Sequence, residues 1–292
     1  MRCRSGNFPE RSGATISVDA ADSGAGDVVP QDSRFLSRTG PLRRRLPSMA
    51  DRMASMWGAA VAYAFERIYQ PEVERSPLPS PIVRRSIVDQ FNRLYYHSPE
   101  IPWRNTFYRG VPVAKAPTDL WAYQEIISET RPAWIVETGT QYGGSAYYIA
   151  DLCELLGHGR VVSVDIAAKP GLPDHPRVTY LAGSSTEPAI VEQVRAMVVG
   201  GPVMVILDSD HSYSHVRAEL DLYAPLVSDD SYLIVEDTNV NGHPVLPTHG
   251  PGPTEAVEEF LTANQEFEVD PSRERFLLTF NPRGYLRRRS AP

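Results

Sequence analysis

Between Trp134 and Asp237 the chain alternates five short apolar, β-rich runs with helical patterns, and that alternation leaves few folds open. The runs are WIVET, RVVSVD, RVTYLA, PVMVILD and SYLIVED, and helical patterns fill gaps at Ser145–Leu156, Pro188–Met197 and His215–Tyr223. Strands that are apolar throughout are buried on both faces, and strands joined through a helix run parallel. The expected class is therefore α/β, a parallel sheet held between two helical layers. The later stretch FEVDPSRERFLLTF breaks the rhythm. Two strands joined by PSRE leave no room for a crossover helix and must run antiparallel, so the sheet is expected to close on a C-terminal hairpin.

In such a sheet a ligand binds beyond the carboxyl ends of the strands, where the first βα turn forms the floor. That turn is spelled WIVETGTQYGGSAYY and brings together Glu137, Gly139, Thr140, Gly143, Gly144 and Ser145. The dinucleotide pattern G-x-G-x-x-G is not met, and a pyrophosphate would face the Glu137 carboxylate. A cationic ligand reverses that sign. S-adenosylmethionine carries a sulfonium and an ammonium, and its carboxylate suits the N–H groups at the start of the following helix. The next strand ends in Asp165, 26 residues after Gly139, where an acid accepts ribose hydroxyls or else caps a helix. Gly183 and Ser184 end the third strand, beside the adenine or simply in a turn.

The fourth strand delivers Asp208, Asp210 and His211, and the fifth Glu236 and Asp237. Carboxylates crowded on one rim repel each other unless a cation sits among them, and oxygen ligands point to Mg²⁺ rather than zinc. Asp208, Glu236 and Asp237 form the expected ligand triad. Asp210 has two readings, as a ligand in place of Asp208 or as a residue facing the cofactor. His211 is the candidate base for the acceptor hydroxyl, its alternative being a surface or capping residue.

The spacing Glu137, Gly139, Gly143, Ser145 resembles the cofactor loop of small metal-dependent O-methyltransferases such as the catechol and caffeoyl-coenzyme A enzymes. Glu236 and Asp237 stand where the catechol-type metal set has aspartate and asparagine, and His211 where those enzymes carry a lysine base. With APTDLWAYQEII and GPGPTEAVEEFL, the whole pattern from about Trp103 to Tyr285 resembles the cephalosporin hydroxylase family of Mg²⁺-dependent O-methyltransferases, to which rhamnosyl O-methyltransferases are similar. The resemblance implies a Rossmann-like class I methyltransferase fold, S-adenosylmethionine and Mg²⁺ as cofactors, and methylation of a sugar, glycolipid or natural-product hydroxyl.

Two rival functions stay open at this point. A non-haem iron oxygenase needs two histidines and a carboxylate on one face, which His211 and His243 meet only if the loop of the latter folds inward. A non-catalytic cofactor-binding subunit would need neither metal nor base.

The remaining sequence bounds organisation and partners. Residues 1–48 have no apolar period and are expected to be disordered, with Met49 and Met53 as alternative starts. Residues 49–100 hold two helical patterns suited to a cap or homo-oligomer contact, residues 101–286 the catalytic domain, and 287–292 a solvated tail containing Arg287–Arg289. A net charge of −7 argues against nucleic acid. Only two of the 29 basic residues are lysines, Lys115 and Lys169, a bias that reads as genome composition. With Cys3 and Cys153 far apart and the apolar stretch Met53–Phe65 too short to span a bilayer, a cytoplasmic protein is expected.

Overall fold

The computed structural model describes residues 79–290. The tail 1–48, the helical pattern at 53–70, Cys3 and residues 291–292 lie outside the described residues. Helix α1 (Pro81–His97) starts where Ser80 caps the Val83 N–H and Pro81 presets the first turn. A short antiparallel ribbon, β1 (Phe107–Tyr108) and β2 (Val111–Pro112), then leads into helix α2 (Pro117–Thr130). No helix among the described residues is long and apolar enough to cross a membrane.

The main sheet contains β3 (Trp134–Thr138), β4 (Arg160–Asp165), β5 (Val178–Ala182), β6 (Val203–Leu207), β7 (Tyr232–Val235), β8 (Phe267–Val269) and β9 (Tyr285–Arg288), in the spatial order β5-β4-β3-β6-β7-β9-β8. The first five are parallel, as the alternation requires. Between them run α3 (Gly144–Leu155), α4 (Pro188–Met197) and α5 (Tyr213–Tyr223), with α6 (Pro253–Ala263) before β8. Strand residues serve the two faces in turn. Val136, Val205 and Val235 pack with α4, α5 and α6, whereas Ile135, Ile206 and Ile234 pack with α2 and α3. Both faces are therefore covered, which is why the runs are mostly apolar instead of alternating with polar residues.

Register fixes the functional edge. Thr138 pairs with Val164 on one side and Leu207 on the other, and Leu207 pairs with Val235. One step further along, Gly139, Asp165, Asp208 and Glu236 therefore stand level on four neighbouring strands. The switch in strand order falls between β3 and β6, where a doubly wound sheet opens its ligand crevice.

The C-terminal pair is antiparallel as expected, but its second strand is not FLLTF. PSRE forms a 3₁₀ turn, and residues 276–284 make a loop before β9 inserts between β7 and β8. The physical reason is that Leu278 and Phe280 are buried elsewhere, with Ala116 and the rings of Tyr95, Tyr96 and Trp103. The strand also runs past residue 286, so the expected solvated tail is corrected in part. Arg287 pairs with Asp230 at 2.9 Å, and Arg288 donates to Val227 O at 2.6 Å.

Candidate active site

The cofactor loop is built from inside. Glu137 is fully buried, and its oxygens accept from Ser145 Oγ and from Ser163 Oγ, the latter at 2.8 Å. Ser163 Oγ lies 2.7 Å from Thr140 Oγ1, so one hydrogen-bonded chain joins β3, β4 and the first turn of α3. Burial pushes the Glu137 carboxyl up to about 7, against the pull of Lys115 and the two serines. The structure thus turns Glu137 inward, where it organises the loop, and does not extend it toward a ligand cation.

Gly139 has φ +89°, and a Cβ there would fall 1.8 Å from the carbonyl oxygen of Asp208. Gly143 caps α3 at φ +75°, and a Cβ on Gly144 would fall 2.1 Å from Pro112 O. Both allow backbone approaches that no side chain permits. The N–H groups of the first turn of α3 lack intrahelical acceptors, the arrangement that suits an anion at a helix start.

Asp165 lies beside this loop and accepts from Gln141 N at 2.8 Å and Lys169 Nζ at 2.7 Å. Burial works to raise its pKa, but Lys169 and the Gln141 N–H outweigh it and hold the carboxyl below its usual range. A cavity of about 330 Å³ adjoins it, lined in part by Thr140, Tyr180 and Leu181. Gly183 follows, with its N–H donating to Asp165 O at 2.8 Å, and Ser184 Oγ lies 3.1 Å from Thr186 Oγ1.

On the other side of the switch, ligand atoms of Asp208, His211 and Asp237 lie within 4.8 Å of one another. His211 Nε2 is 3.1 Å from Asp237 Oδ2. Burial lowers the imidazole pKa, but Asp237, Asp208 and Glu236 together hold it above its ordinary value. Asp237 adopts φ +54°, a left-handed conformation, while its N–H donates to Asn281 Oδ1 at 3.2 Å. Two expected members are not in this group. Asp210 accepts the Ser212 N–H at 2.8 Å and holds the turn into α5. Glu236 is buried and directs Oε1 to Lys115 Nζ and the Tyr123 hydroxyl.

Lys115 was not singled out as a site residue from the sequence, yet it is at the centre. Its ammonium, almost fully buried, bridges Glu236 and Asp208, the latter at 2.5 Å. The carboxylates do have a cation among them, and it belongs to the chain. Asn281 was also missed. It is fully buried and connects the Asp237 N–H to the Tyr123 hydroxyl, which its Nδ2 reaches at 3.2 Å.

The donor set fits a hard divalent ion. Asp208 and Asp237 offer carboxylate oxygens, and no donor among the described residues reaches Glu236 Oε2. Burial disfavours the ionised form of all three, so positive charge beside them is what keeps them ionised. An iron face with two histidines is not assembled among the described residues. His243 turns to Glu255 at 3.0 Å, and the metal-competent group holds one histidine.

The family model described as rhamnosyl O-methyltransferase/CmcI matches residues 101–289. A rhamnosyl O-methyltransferase of Mycobacterium tuberculosis is 41% identical over 209 residues, covering 69% of this chain and 84% of that protein. One from Mycobacterium leprae is 39% identical over 211 residues, covering 70% and 91%. Among solved structures, apo CmcI matches with a TM-score of 0.50 at 23% identity over 64% of this chain and 78% of that one, a likeness of fold.

Proposed function

The chain belongs to the rhamnosyl O-methyltransferase/CmcI family, and on that premise we propose that it is an S-adenosylmethionine-dependent, Mg²⁺-assisted O-methyltransferase. Its acceptor is a hydroxyl of a sugar or natural product, with a rhamnosyl-type glycolipid as the favoured case. The observation that carries this reading is the level placement of two half-sites. The glycine loop and Asp165 stand on one side of the switch, and Asp208, His211 and Asp237 on the other.

S-adenosylmethionine would supply the electrophilic methyl group, and Mg²⁺ held by Asp208 and Asp237, with Glu236 Oε2 in reserve, would acidify the acceptor hydroxyl. The chain's own residues do the rest. The open N–H groups at the start of α3 receive a carboxylate, and Asp165 receives the ribose diol, sharing its oxygens with Lys169. Glu137, through Ser145 and Ser163, keeps the loop in the shape that presents those groups. His211, with Nε2 turned to Asp237 Oδ2, takes the hydroxyl proton on its other ring nitrogen, Nδ1, and Asp237 stabilises the imidazolium that results. Orienting oxygen and methyl group in line requires no covalent intermediate on the protein.

A cavity of about 600 Å³ lies between α1 and the loops carrying His243 and Leu277, within the size range of ligand pockets, roughly 300–1,000 Å³. Its walls include Thr279 and Pro282, which flank Asn281, and Gly242, in the loop that follows Asp237.

Transfer of a labelled methyl group from S-adenosylmethionine to a rhamnoside, with and without EDTA, tests the proposal. Transfer that stops in the chelator and returns with Mg²⁺ is expected, whereas undiminished transfer would remove the metal from the mechanism. Asp165→Ala is expected to weaken cofactor binding by about 3 kcal/mol, roughly 10²-fold, from about 1.5–3 kcal/mol per charged hydrogen bond. Calorimetry that finds wild-type affinity would reduce Asp165 to a turn residue.

A further inference from the structure

The Lys115 ammonium occupies the space where oxygen atoms of two proposed metal-site carboxylates converge. Nζ is 2.5 Å from Asp208 Oδ2 and bonds Glu236 Oε1, while Tyr123 donates to the same Glu236 oxygen. The lysine is 2% exposed and the glutamate 3%, so water contributes little to stabilising either charge. From these contacts we infer that Lys115 is a resident counter-ion of the metal site, holding Asp208 and Glu236 together in the metal-free protein and competing with a divalent cation for their oxygens. This inference rests on the metal reading proposed above.

The charge count explains why the chain would carry such a group. Asp208, Glu236 and Asp237 bring three negative charges to one rim, Glu236 buried and the two aspartates partly so, with Glu137 close enough to act on the same ammonium. Without a cation those carboxylates would repel one another and take up protons. A lysine suits this place better than an arginine, because a compact ammonium on a flexible stem can bridge oxygens from two separate carboxylates, whereas a planar guanidinium matches one. The ammonium, bonded to one oxygen of Asp208 and one of Glu236, is the charge that a divalent ion must meet on reaching those oxygens.

The consequence for affinity has a definite sign. A positive charge fixed beside the ligand oxygens weakens divalent binding, because it repels the ion and because its bonds to Asp208 and Glu236 must be given up. If Lys115 were instead a scaffold that shapes the site for the metal, its removal would weaken binding. The two roles move the same measurement in opposite directions.

The test is titration calorimetry of MgCl₂ into metal-free protein, wild type and Lys115→Met, with melting curves of both. Lys115→Met is expected to bind Mg²⁺ more tightly by on the order of tenfold or more, and its metal-free form to melt lower and recover on adding Mg²⁺. Equal or weaker affinity in the folded variant would overturn the counter-ion role. Should Lys115→Met fail to fold without metal, Glu236→Gln and the Lys115→Met/Glu236→Gln double variant give the same comparison with one charge of each sign removed. The double variant is then expected to bind more tightly than Glu236→Gln, and no gain would overturn the inference. A wild-type chain and variants that all fail to bind Mg²⁺ would overturn the metal reading itself, and the competition with it.

Discussion

Alanine at position 211 is expected to lower turnover by roughly 10²–10⁴-fold, the usual worth of a positioned general base. The fold and the affinity for S-adenosylmethionine should change little, since His211 lies across the strand switch from the glycine loop and Asp165. Its imidazole is 3.1 Å from Asp237 and sits among three carboxylates, so the protonated ring left after proton removal is well stabilised. The same environment fixes a sign for stability. A histidine whose folded pKa exceeds its ordinary value of 6.5 contributes stability that is complete below that value. The contribution is lost as pH rises through the folded pKa. His211→Ala should therefore flatten the metal-free stability profile from about pH 6.5 upward. Single-turnover transfer from labelled cofactor checks the first effect, and a fall of less than tenfold would mean that the proton leaves by another route.

Gly139→Ala is expected to destabilise the fold by on the order of 4 kcal/mol, combining about 1–3 for a left-handed backbone with about 1–3 for overpacking. The new Cβ would lie 1.8 Å from Asp208 O, a backbone atom of β6's exit, so neither side can yield by turning a side chain. Denaturant unfolding is the measurement. Near-wild-type stability would mean that β3 and β6 separate at their ends more easily than their register suggests.

The sheet was legible in the sequence because its cause is local. Each of the five parallel strands lies within the run that announced it, and α4 matches its expected span of Pro188–Met197. FLLTF failed for a non-local reason, since an apolar run is read equally well by a strand or by an anchor, and Phe280 found aromatic partners on α1 and at Trp103. The place of Asp165, Asp208 and Asp237 along one edge of the sheet could be read because each stands at or just past the end of a strand. Lys115 could not, because it approaches that edge from a loop before α2. A signal was nevertheless present. The chain keeps lysine at only two of its 29 basic positions, and each pairs with an acid that the strand ends had marked, Lys115 with Asp208 and Lys169 with Asp165. Composition alone explained the arginines but not the two exceptions.

The place of β9 sets an order of events during synthesis. The glycine loop and Asp165 depend on β3, β4 and β5, which are contiguous in the chain and can pair as soon as residues 134–182 are available. The metal half cannot be finished so early. β7 has β9 as its outer neighbour, β8 pairs with β9 alone among the described residues, and Asn281, just before that strand, holds the Asp237 N–H. The half bearing the glycine loop and Asp165 is thus drawn mostly from an earlier stretch of the chain than the half bearing Asp237, a separation in time that mirrors the separation of the two halves across the strand switch.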